Sequence, residues 1–599
     1  MPCLKTNQLK YTLDREAFSK VYEVFSVTTA EKYFLQGAQV LDAVEYDGCV
    51  LSVLFERGNS FLLMGRTGVL SVKQLRESFK RSKEADSIRI QAVSVSEVPD
   101  RKLLQLLLNA LGNFETPALS FSNLTGHLYG LCPAWIKRGK KREEQIIWQV
   151  PCLEFCITED FCLEFPVRTF TSVKLRSKIT FDKRKFSEYP QYVLTGKNTL
   201  RRQLKTDSEA TFILRQLDDQ KTSIPFMSIK DIDSFNHSKM GLVLRMMETF
   251  NQSYTGLANI RFAEIEEYEA VDYTRQCARE DRIRVREVLE ARPLHIVDTI
   301  GSEDSAHFCK DIKLLLMDKY GIKAELSKRV SKEALNIRVI HHKDYYEGSD
   351  DPHAVFANAA VQHITFEDFA SHADFALETA IHELIIKQDL IDQHFSLFHW
   401  PATGFKEKVA FGLPMEKAGQ TAYVFMTVFP DGRFDIEEEQ LDMFHFQQYQ
   451  DCVMVFEDAK IHHENVLGLI RFPDGKINVI KDTGLVSIPE IEKIRNELAS
   501  GNTRLRGKEA REEYLMSCLD IKSFQKENAA FYLVGTIGEG MRYTLNWAAN
   551  IRTIEPIGTA SLIYRQLLPT MSVTFVRNNQ LTVVPFPFKY LREYIKIVI

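Results

Sequence analysis

The chain has 599 residues, a mass of 69.1 kDa and a formal net charge of -5. This length favours two to four domains, and the balance of 45% hydrophobic and 26% charged residues excludes an extensively disordered or collagen-like chain. No stretch approaches the roughly eighteen apolar residues of a membrane span, and the first residues do not resemble a secretory leader, so we expect a cytoplasmic protein with no membrane partner. Because the whole chain is slightly acidic, a nucleic-acid site requires local segregation of positive charge.

The N-terminal part alternates short apolar runs with polar turns, a pattern that predicts an α+β domain. Two of the runs cover residues 50–55 and 61–64, and leucines with helical spacing follow at 101–111. The ten cysteines are scattered along the chain, and we expect them to be buried free thiols rather than zinc ligands.

Two basic stretches follow. The shorter, 137–142, is predicted to be a loop before strands at 145–150 and 152–157. The longer, from Arg168 to Lys205, carries eleven lysines and arginines against two acids, with aromatic residues interleaved. This composition favours neutralisation of backbone phosphates with bases or sugars stacked beside them, and the alternative is a solvated strand face with its aromatic rings in the core. The residues predicted to contact a nucleic-acid backbone are Arg168, Lys174, Arg176, Lys178, Lys183, Arg184, Lys185, Arg201, Arg202 and Lys205. The interleaved aromatic residues are Phe170, Phe181, Phe186, Tyr189 and Tyr192.

Residues 238–291 show helical spacing and end in a helix of mixed charge. An alternation of strands and helices comes next and predicts a parallel, doubly wound sheet. Its predicted elements are a strand at 293–297, a helix at 306–320 stopped by Gly321, strands at 322–326 and 336–340, and a helix at 376–388.

The last third is richer in hairpins. Two Pro-Asp-Gly turns, at 430–432 and 473–475, each lie between apolar runs and predict antiparallel hairpins. Beyond them we expect a helix at 540–549, a strand at 572–576 and an apolar tail that ends at Ile599.

Motifs for nucleotide hydrolysis and for a zinc protease are missing from the sequence. No Gly-rich turn ends in Gly-Lys-Ser/Thr, and His382-Glu383 is followed by Ile386 where a second histidine ligand belongs. A two-metal nuclease needs carboxylates that converge from separate elements. Asp431 and Asp474 are explained by turn geometry instead, so we expect that the chain does not cut nucleic acid.

A terminal phosphate is held best by a tyrosine hydroxyl, an amide donor and a lysine that arrive from different elements. Tyr346, Gln362 and Lys387 provide these three groups. Their spacing resembles that of the MID domain of Argonaute/PIWI proteins, in which a tyrosine, a glutamine and a lysine bind the 5′ phosphate of a guide strand. The family's lysine four residues after the tyrosine is Asp350 here, so that contact is missing or is supplied by Lys343 or His353.

The resemblance implies a multidomain α/β fold of Argonaute type. Its domains would be an N-terminal α+β domain at 1–130, a basic linker or N-terminal-lobe domain at 131–290, a doubly wound MID domain at 291–390 and an RNase H-like PIWI domain at 391–599. It also implies that the C-terminal carboxylate of Ile599 lies near the guide phosphate, with Mg²⁺ as a possible cofactor there.

For function, the resemblance implies a guide-dependent nucleic-acid-binding protein of bacterial defence against plasmids or other invading DNA. Its partners would be a guide DNA or RNA, a complementary target DNA, and a helicase or nuclease effector, because the PIWI half shows none of the family's clear catalytic aspartates. Two alternatives stay open. One is an active metal-dependent guided endonuclease that uses Asp431, Asp435, Glu437 or Asp474, and the other is a scaffold that binds no nucleic acid.

Overall fold

The structure is a computed structural model, which describes residues 4–29, 49–55, 60–80, 85–113, 120–124, 126–141, 144–179, 189–196, 199–203, 211–215, 224–266, 269–271, 278–346, 356, 358–369, 373–417, 419–441, 447–501, 523–534, 550–576 and 582–598. The chain is a mixed α/β, multidomain protein that divides into two compact units. The first unit comprises residues 1–266, 485–520 and 539–548, and the second comprises 267–484, 521–538 and 549–599. The domain boundaries expected near residues 131, 291 and 391 stay predictions, as does the RNase H-like character of the last part.

The strands are β1 Leu4–Leu13, β2 Tyr22–Thr28, β3 Val50–Phe55, β4 Ser60–Arg66, β5 Arg89–Val93, β6 Ser120–Leu124, β7 His127–Leu131, β8 Lys137–Lys141, β9 Glu144–Ile157, β10 Leu163–Glu164, β11 Val167–Ser172, β12 Tyr192–Leu194, β13 Leu200–Arg202, β14 Thr211–Leu214, β15 Ala258–Ile265, β16 Glu269–Ala270, β17 Leu294–Asp298, β18 Ala324–Ser327, β19 Leu335–Ile340, β20 Val361–Thr365, β21 Val409–Lys417, β22 Gln420–Val428, β23 Phe434–Glu439, β24 Val466–Arg471, β25 Ile477–Ile488, β26 Ser523–Lys526, β27 Ala529–Val534 and β28 Asn550–Pro556. The helices are α1 Arg15–Val21, α2 Val72–Phe79, α3 Asp100–Ala110, α4 Ile232–Asn236, α5 Lys239–Ser253, α6 Ala278–Glu290, α7 Glu303–Tyr320, α8 Phe366–Phe369, α9 Ala373–Asp392, α10 Gln450–Ile461, α11 Ile491–Ala499, α12 Tyr564–Met571 and α13 Pro587–Val598. No helix in the described part of the chain has the length and hydrophobicity to cross a lipid bilayer.

The smaller sheet of the first unit has the strand order β3-β4-β2-β5. The apolar runs at 50–55 and 61–64 form β3 and β4, as predicted, and helix α2 covers the sheet with Leu75 and Phe79. The leucine-rich helix is confirmed as α3, in which Leu103, Leu104 and Leu107 are completely buried. The short apolar runs form buried strands, and the leucines with helical spacing form a buried helix, as the two patterns predict.

The larger sheet of the first unit has the order β13-β12-β14-β11-β9-β7-β6, with β8 and β10 paired to β9. The loop predicted at 137–142 is wrong, because Lys137–Lys141 pair with β9 as strand β8. Gly139 allows this pairing, since a Cβ there would lie 2.6 Å from the Trp148 ring. The two predicted strands after it form one continuous strand, β9, which passes through Pro151. Cys152 and Cys162 are buried free thiols, as predicted.

The stretch predicted to be helical at 238–291 contains helices α5 and α6, but residues 258–265 form strand β15 instead. Ala258, Ile260 and Phe262 are buried while the residues between them are exposed. This period of two suits a strand, and β15 pairs antiparallel with β1.

The second unit contains the expected parallel sheet, with strand order β18-β17-β19-β20. Helix α7 begins at a capping box in which Ser302 and Ser305 bond reciprocally, and it ends at Gly321, whose φ of 71° favours glycine. Helix α9 follows β20 and packs against it. The amino end of β20 therefore lies beside one face of α9.

A second, larger sheet of this unit runs in the order β16-β26-β27-β28-β25-β24-β21-β22-β23. Both predicted hairpins are confirmed, as β22 with β23 and β24 with β25. The strand predicted at 572–576 is wrong: α12 ends at Met571, and Val573 and Phe575 enter the core from turns. The helix expected at 540–549 lies outside the described residues. The apolar tail is a helix, α13, which buries Phe588, Tyr590 and Leu591.

Candidate nucleic-acid interface

Gln362 and Lys387 come together where β20 meets helix α9. Lys387 Nζ donates to the side-chain oxygen of Gln362 at 2.6 Å and to the backbone oxygen of Val361 at 2.8 Å. The amide nitrogen of Gln362 in turn donates to Glu383 at 2.9 Å. Glu383 and Lys387 are four residues apart on α9 and so share a face of that helix. Two of the three predicted phosphate ligands are therefore in direct contact.

Helix α13 brings two more lysines to the same place. Lys589 Nζ lies 3.0 Å from a Glu383 oxygen and 3.1 Å from a Glu593 oxygen, and Lys596 Nζ lies 2.7 Å from the same Glu593 oxygen. We call the connected side chains the lysine network. Its members are Gln362, Glu383, Lys387, Lys589, Glu593 and Lys596. Three ammonium groups face two carboxylates, so the network carries an excess of one positive charge.

Burial and neighbouring charges shift the pKa values of several side chains in this network. Burial lowers the pKa of Lys387, against the opposing effect of Glu593 and Glu383. Burial would also lower the pKa of Lys589, but the carboxylates of Glu593 and Glu383 outweigh it and raise that pKa. Glu593 is only 2% exposed, yet hydrogen bonding to Lys596 and the charge of Lys589 lower its pKa despite burial. Lys589 and Glu593 thus stabilise each other's charge, whereas burial disfavours the charge of Lys387.

A buried carboxylate joins α13 to α9 beside the network. Asp389 accepts hydrogen bonds from the Tyr590 hydroxyl at 2.7 Å, from the Ser396 hydroxyl at 2.6 Å and from the Ser396 backbone amide at 3.0 Å. Burial raises the pKa of Asp389 to about 7, although the bonds from Ser396 and Tyr590 act in the opposite direction. Because Tyr590 directly follows Lys589, this contact positions the lysine against α9.

Tyr346 lies at the other end of the parallel sheet. Its hydroxyl accepts a hydrogen bond from the backbone amide of His341, just beyond the carboxyl end of β19. Gln362 pairs with Ile337, whereas Thr365 pairs with the last residue of β19. Three residues of strand, about 10 Å, therefore separate Gln362 from the end at which the Tyr346 hydroxyl is held.

Lys343 is exposed in the short 3-10 helix Lys343–Tyr346, beside Tyr346. The structure therefore does not gather all the predicted phosphate ligands at one point. Asp350, His353 and Ile599, on which the missing contact and the C-terminal carboxylate depend, lie outside the described residues.

Basic residues of the segment from Arg168 to Lys205 lie on different strands and do not all point to the same face of the sheet. Arg168 lies on β11 and forms an ion pair with Glu154 of β9 at 2.6 Å, and His127 contacts the same carboxylate. Arg201 and Arg202 are neighbours on β13, so their side chains point to opposite faces of the sheet. Arg202 lies over the Tyr192 ring, at 5.3 Å.

Other members of the segment are exposed or fall outside the description. Lys174, Arg176 and Lys178 are exposed on the 3-10 helix Val173–Lys178. Lys183, Arg184, Lys185 and Lys205 lie outside the described residues, as do Phe181 and Phe186.

The described aromatic residues of this segment do not form a stacking surface. Phe170 is completely buried, Tyr189 is 8% exposed and Tyr192 packs against the same core as Phe170. Base stacking on Phe170 is therefore a wrong expectation, and the alternative of aromatic rings in the core holds for these residues. Arg215 instead covers Tyr189, donating to its hydroxyl at 2.8 Å.

The aspartates of the two hairpin turns have local partners. Asp431 accepts from the backbone and side chain of Arg433, and Asp474 accepts from the backbone of Lys476 and pairs with its ammonium group at 2.6 Å. Both aspartates therefore lie in the turns that the sequence predicted, and a structural role for them stays a prediction. Asp435 and Glu437 are on β23 with exposed side chains. Within the described ranges, no three His, Cys, Asp or Glu side chains are grouped so that they could hold a metal ion.

Sequence reasoning missed four members of the site: Glu383, Lys589, Glu593 and Lys596. A signal was present, because Glu383 precedes Lys387 by four residues and Glu593 follows Lys589 by four, the spacing of helical ion pairs. Treating residues 585–599 as an apolar tail concealed the second pair.

Of the comparisons with known proteins, the one with solved structures gave a match. No family model matches the chain, and no curated protein matches it. Among solved structures the chain is similar to the Argonaute of A. aeolicus, with 9% sequence identity, a TM-score of 0.36, and coverage of 99% of this chain and 98% of that one.

Proposed function

We propose that the protein binds a guide strand and uses it to hold a complementary target DNA, as part of bacterial defence against plasmids or other invading DNA. The observation that carries the proposal is the contact between Lys387 and Gln362, which Lys589 approaches through Glu383. Lysine and amide donors from a strand and two helices converge there, and such convergence suits a terminal phosphate. The spacing of Tyr346, Gln362 and Lys387, which resembles that of Argonaute MID domains, supports the same assignment.

In this proposal the 5′ phosphate of the guide binds Lys387, Gln362 and Lys589. A terminal phosphate carries a charge of about -1.5 to -2 near pH 7 and offers three acceptor oxygens, which match ammonium and amide donors. Tyr346 and Lys343 contact the strand beyond its end, since they lie at the far end of β20. The exposed Lys174, Arg176 and Lys178, together with Arg201 or Arg202, neutralise backbone phosphates.

The donor set near Lys387 does not fit a divalent cation. Its described carboxylates are those of Glu383 and Glu593, and both already contact ammonium groups at about 3 Å. The proposal therefore assigns the phosphate to lysines, and the Mg²⁺ expected beside Ile599 has no part in it.

Target cleavage is not part of the proposed function. The acids that the nuclease alternative requires are bound in turns, as Asp431 and Asp474 are, or exposed on β23. A protein that binds without cutting needs another protein to act on the target, so we propose recruitment of a helicase or nuclease.

The binding assay that tests this proposal compares one DNA strand with either a 5′ phosphate or a 5′ hydroxyl. The wild type should prefer the phosphorylated strand, and the double variant Gln362→Ala, Lys387→Ala should lose about 100-fold in affinity for it and little for the other strand, because charge-assisted bonds are the strong ones. Lys319→Ala is the matched control, since Lys319 pairs with Glu378 of α9 away from Gln362. Equal losses for both strands would remove the phosphate site.

A cleavage assay separates the proposal from the nuclease alternative. The loaded protein with target DNA and Mg²⁺ or Mn²⁺ should retain the target intact. Metal-dependent cutting that one carboxylate substitution abolishes would establish the alternative, and purification without any bound nucleic acid together with failure to bind strands would favour a scaffold.

A further inference from the structure

Glu383 occupies the donors that the proposed phosphate needs. One of its oxygens accepts from the Gln362 amide at 2.9 Å and the other accepts from Lys589 at 3.0 Å. Lys387 meanwhile spends its hydrogen bonds on the Gln362 and Val361 oxygens. An arriving phosphate therefore meets a resident carboxylate on the donors that it would use.

We infer that Glu383 is a specificity-determining residue, a resident carboxylate that a 5′-terminal phosphate must displace and a 5′-hydroxyl end cannot. The inference rests on the proposed function, because it takes the lysine network to be the site of the strand's end. A phosphate of nearly two negative charges competes well for ammonium donors against a single carboxylate. A neutral hydroxyl end has no such advantage. Glu383 therefore admits only a strand whose 5′ end carries enough negative charge to displace it.

A merely structural role for Glu383 predicts the opposite result. If the carboxylate were needed only to neutralise Lys589, its loss would loosen α13 and weaken every ligand. Lys589 has a second counter-charge, however, since Glu593 lies 3.1 Å away and is almost completely buried. The lysine therefore keeps an acidic partner when Glu383 becomes neutral. Glutamine at 383 would also retain an oxygen that can accept from the Gln362 amide.

The test is the Glu383→Gln variant of the full chain, with binding measured for the same strand bearing a 5′ phosphate or a 5′ hydroxyl. Removal of one like charge from the phosphate's neighbourhood should tighten binding of the phosphorylated strand by about tenfold, or 1.4 kcal/mol, and leave the hydroxyl strand within about twofold. Glu378→Gln is the matched control, because it removes one carboxylate and one ion pair, that with Lys319, from the same helix without touching Gln362. Inorganic phosphate is added as a competitor in a separate arm.

The outcomes separate the inference from the proposed function. Selective tightening in Glu383→Gln, absent from Glu378→Gln, supports both, and stronger competition by inorganic phosphate in the same variant shows that the phosphate group itself is recognised. Unchanged or weaker binding of the phosphorylated strand by Glu383→Gln overturns the inference alone, provided that Gln362→Ala, Lys387→Ala still abolishes the preference for phosphate. If the wild type shows no preference between the strands, and the double variant changes neither, the proposed function and the inference both fail.

Discussion

The lysine network and the basic sheet segment contain similar residues in different arrangements. In the network, side chains from β20, α9 and α13 meet within hydrogen-bond distance, and two carboxylates pair with the lysines of α13. In the sheet segment, residues 168–205, positive charges are denser along the chain, but the neighbours Arg201 and Arg202 point to opposite faces of the sheet. Arg168 already pairs with Glu154 of β9. Convergence from separate elements, rather than the number of charges in a stretch, distinguishes a site from a solvated surface.

Asp389 holds α13 against α9 beside the lysine network, and its removal should have the largest effect. Asp389→Ala removes the acceptor of three hydrogen bonds and leaves the Tyr590 and Ser396 donors buried without it, so we expect a loss of about 3 kcal/mol in the free energy of unfolding. The same variant should reduce the preference for a 5′ phosphate, because Lys589 is no longer held against α9. Chemical denaturation and strand binding measure the two effects.

Asp392→Ala is the control on the same helix, because its carboxylate forms a half-exposed ion pair with Arg292 at 2.8 Å. Such pairs contribute about 0–1 kcal/mol. If both variants cost equally little, Asp389 does not fasten the helices.

The stability of the protein should also depend on pH through Asp389. The folded protein raises the pKa of Asp389 to about 7 from a usual value near 3.8, so it binds this proton more tightly than the unfolded chain does. The contribution of Asp389 is therefore complete below about pH 4 and is lost as the pH rises to about 7, a change of order 4 kcal/mol. Asp389→Asn should abolish that decline. Denaturation at pH 4 to 8 for both proteins isolates it, and parallel curves would contradict it.

The sequence predicted most of the elements around the network but only part of its chemistry. Strands β17, β18 and β19 and helices α7 and α9 follow from local periodicity and caps, such as Gly321, because neighbours in the chain determine them. The contact between Gln362 and Lys387 was suggested only by spacing. The approach of Lys589 to Glu383 joins residues 206 positions apart, and no local pattern carries that information.

Burial explains the wrong expectations in the sheet segment. Interleaved aromatic and basic residues are typical both of a stacking surface and of a strand with one face in the core. Phe170 is on the buried face because β11 lies between β9 and β14, and that position depends on pairings with distant strands. The same dependence on distant pairing explains why β15 was mistaken for helix.

The sheet segment can be tested by its two neighbouring arginines. Because β13 directs Arg201 and Arg202 to opposite faces, a bound strand on one face meets only one of them. We expect one of the single variants Arg201→Gln and Arg202→Gln to reduce the slope of log affinity against log salt concentration by about 0.7 for single-stranded nucleic acid. The other variant should leave that slope unchanged. Binding measured from low to high salt decides. Equal reductions by both variants would mean that nucleic acid reaches both faces, and no reduction by either would place the backbone elsewhere.

The smallest expected effect concerns the turn aspartates, which are acidic residues outside either basic region. Asp431→Ala and Asp474→Ala each remove an acceptor for a backbone amide two residues ahead, in a turn whose following glycine already has a positive φ. Both carboxylates are exposed, so we expect only a slight decrease in melting temperature. Strand binding should be unchanged, because each carboxylate is held by a basic residue of its own turn, Arg433 or Lys476. Asp431→Asn and Asp474→Asn keep the turn acceptor and serve as controls that should restore stability. A nuclease that used either carboxylate would lose activity in the asparagine variants as fully as in the alanine ones, so their comparison separates a turn residue from a metal ligand.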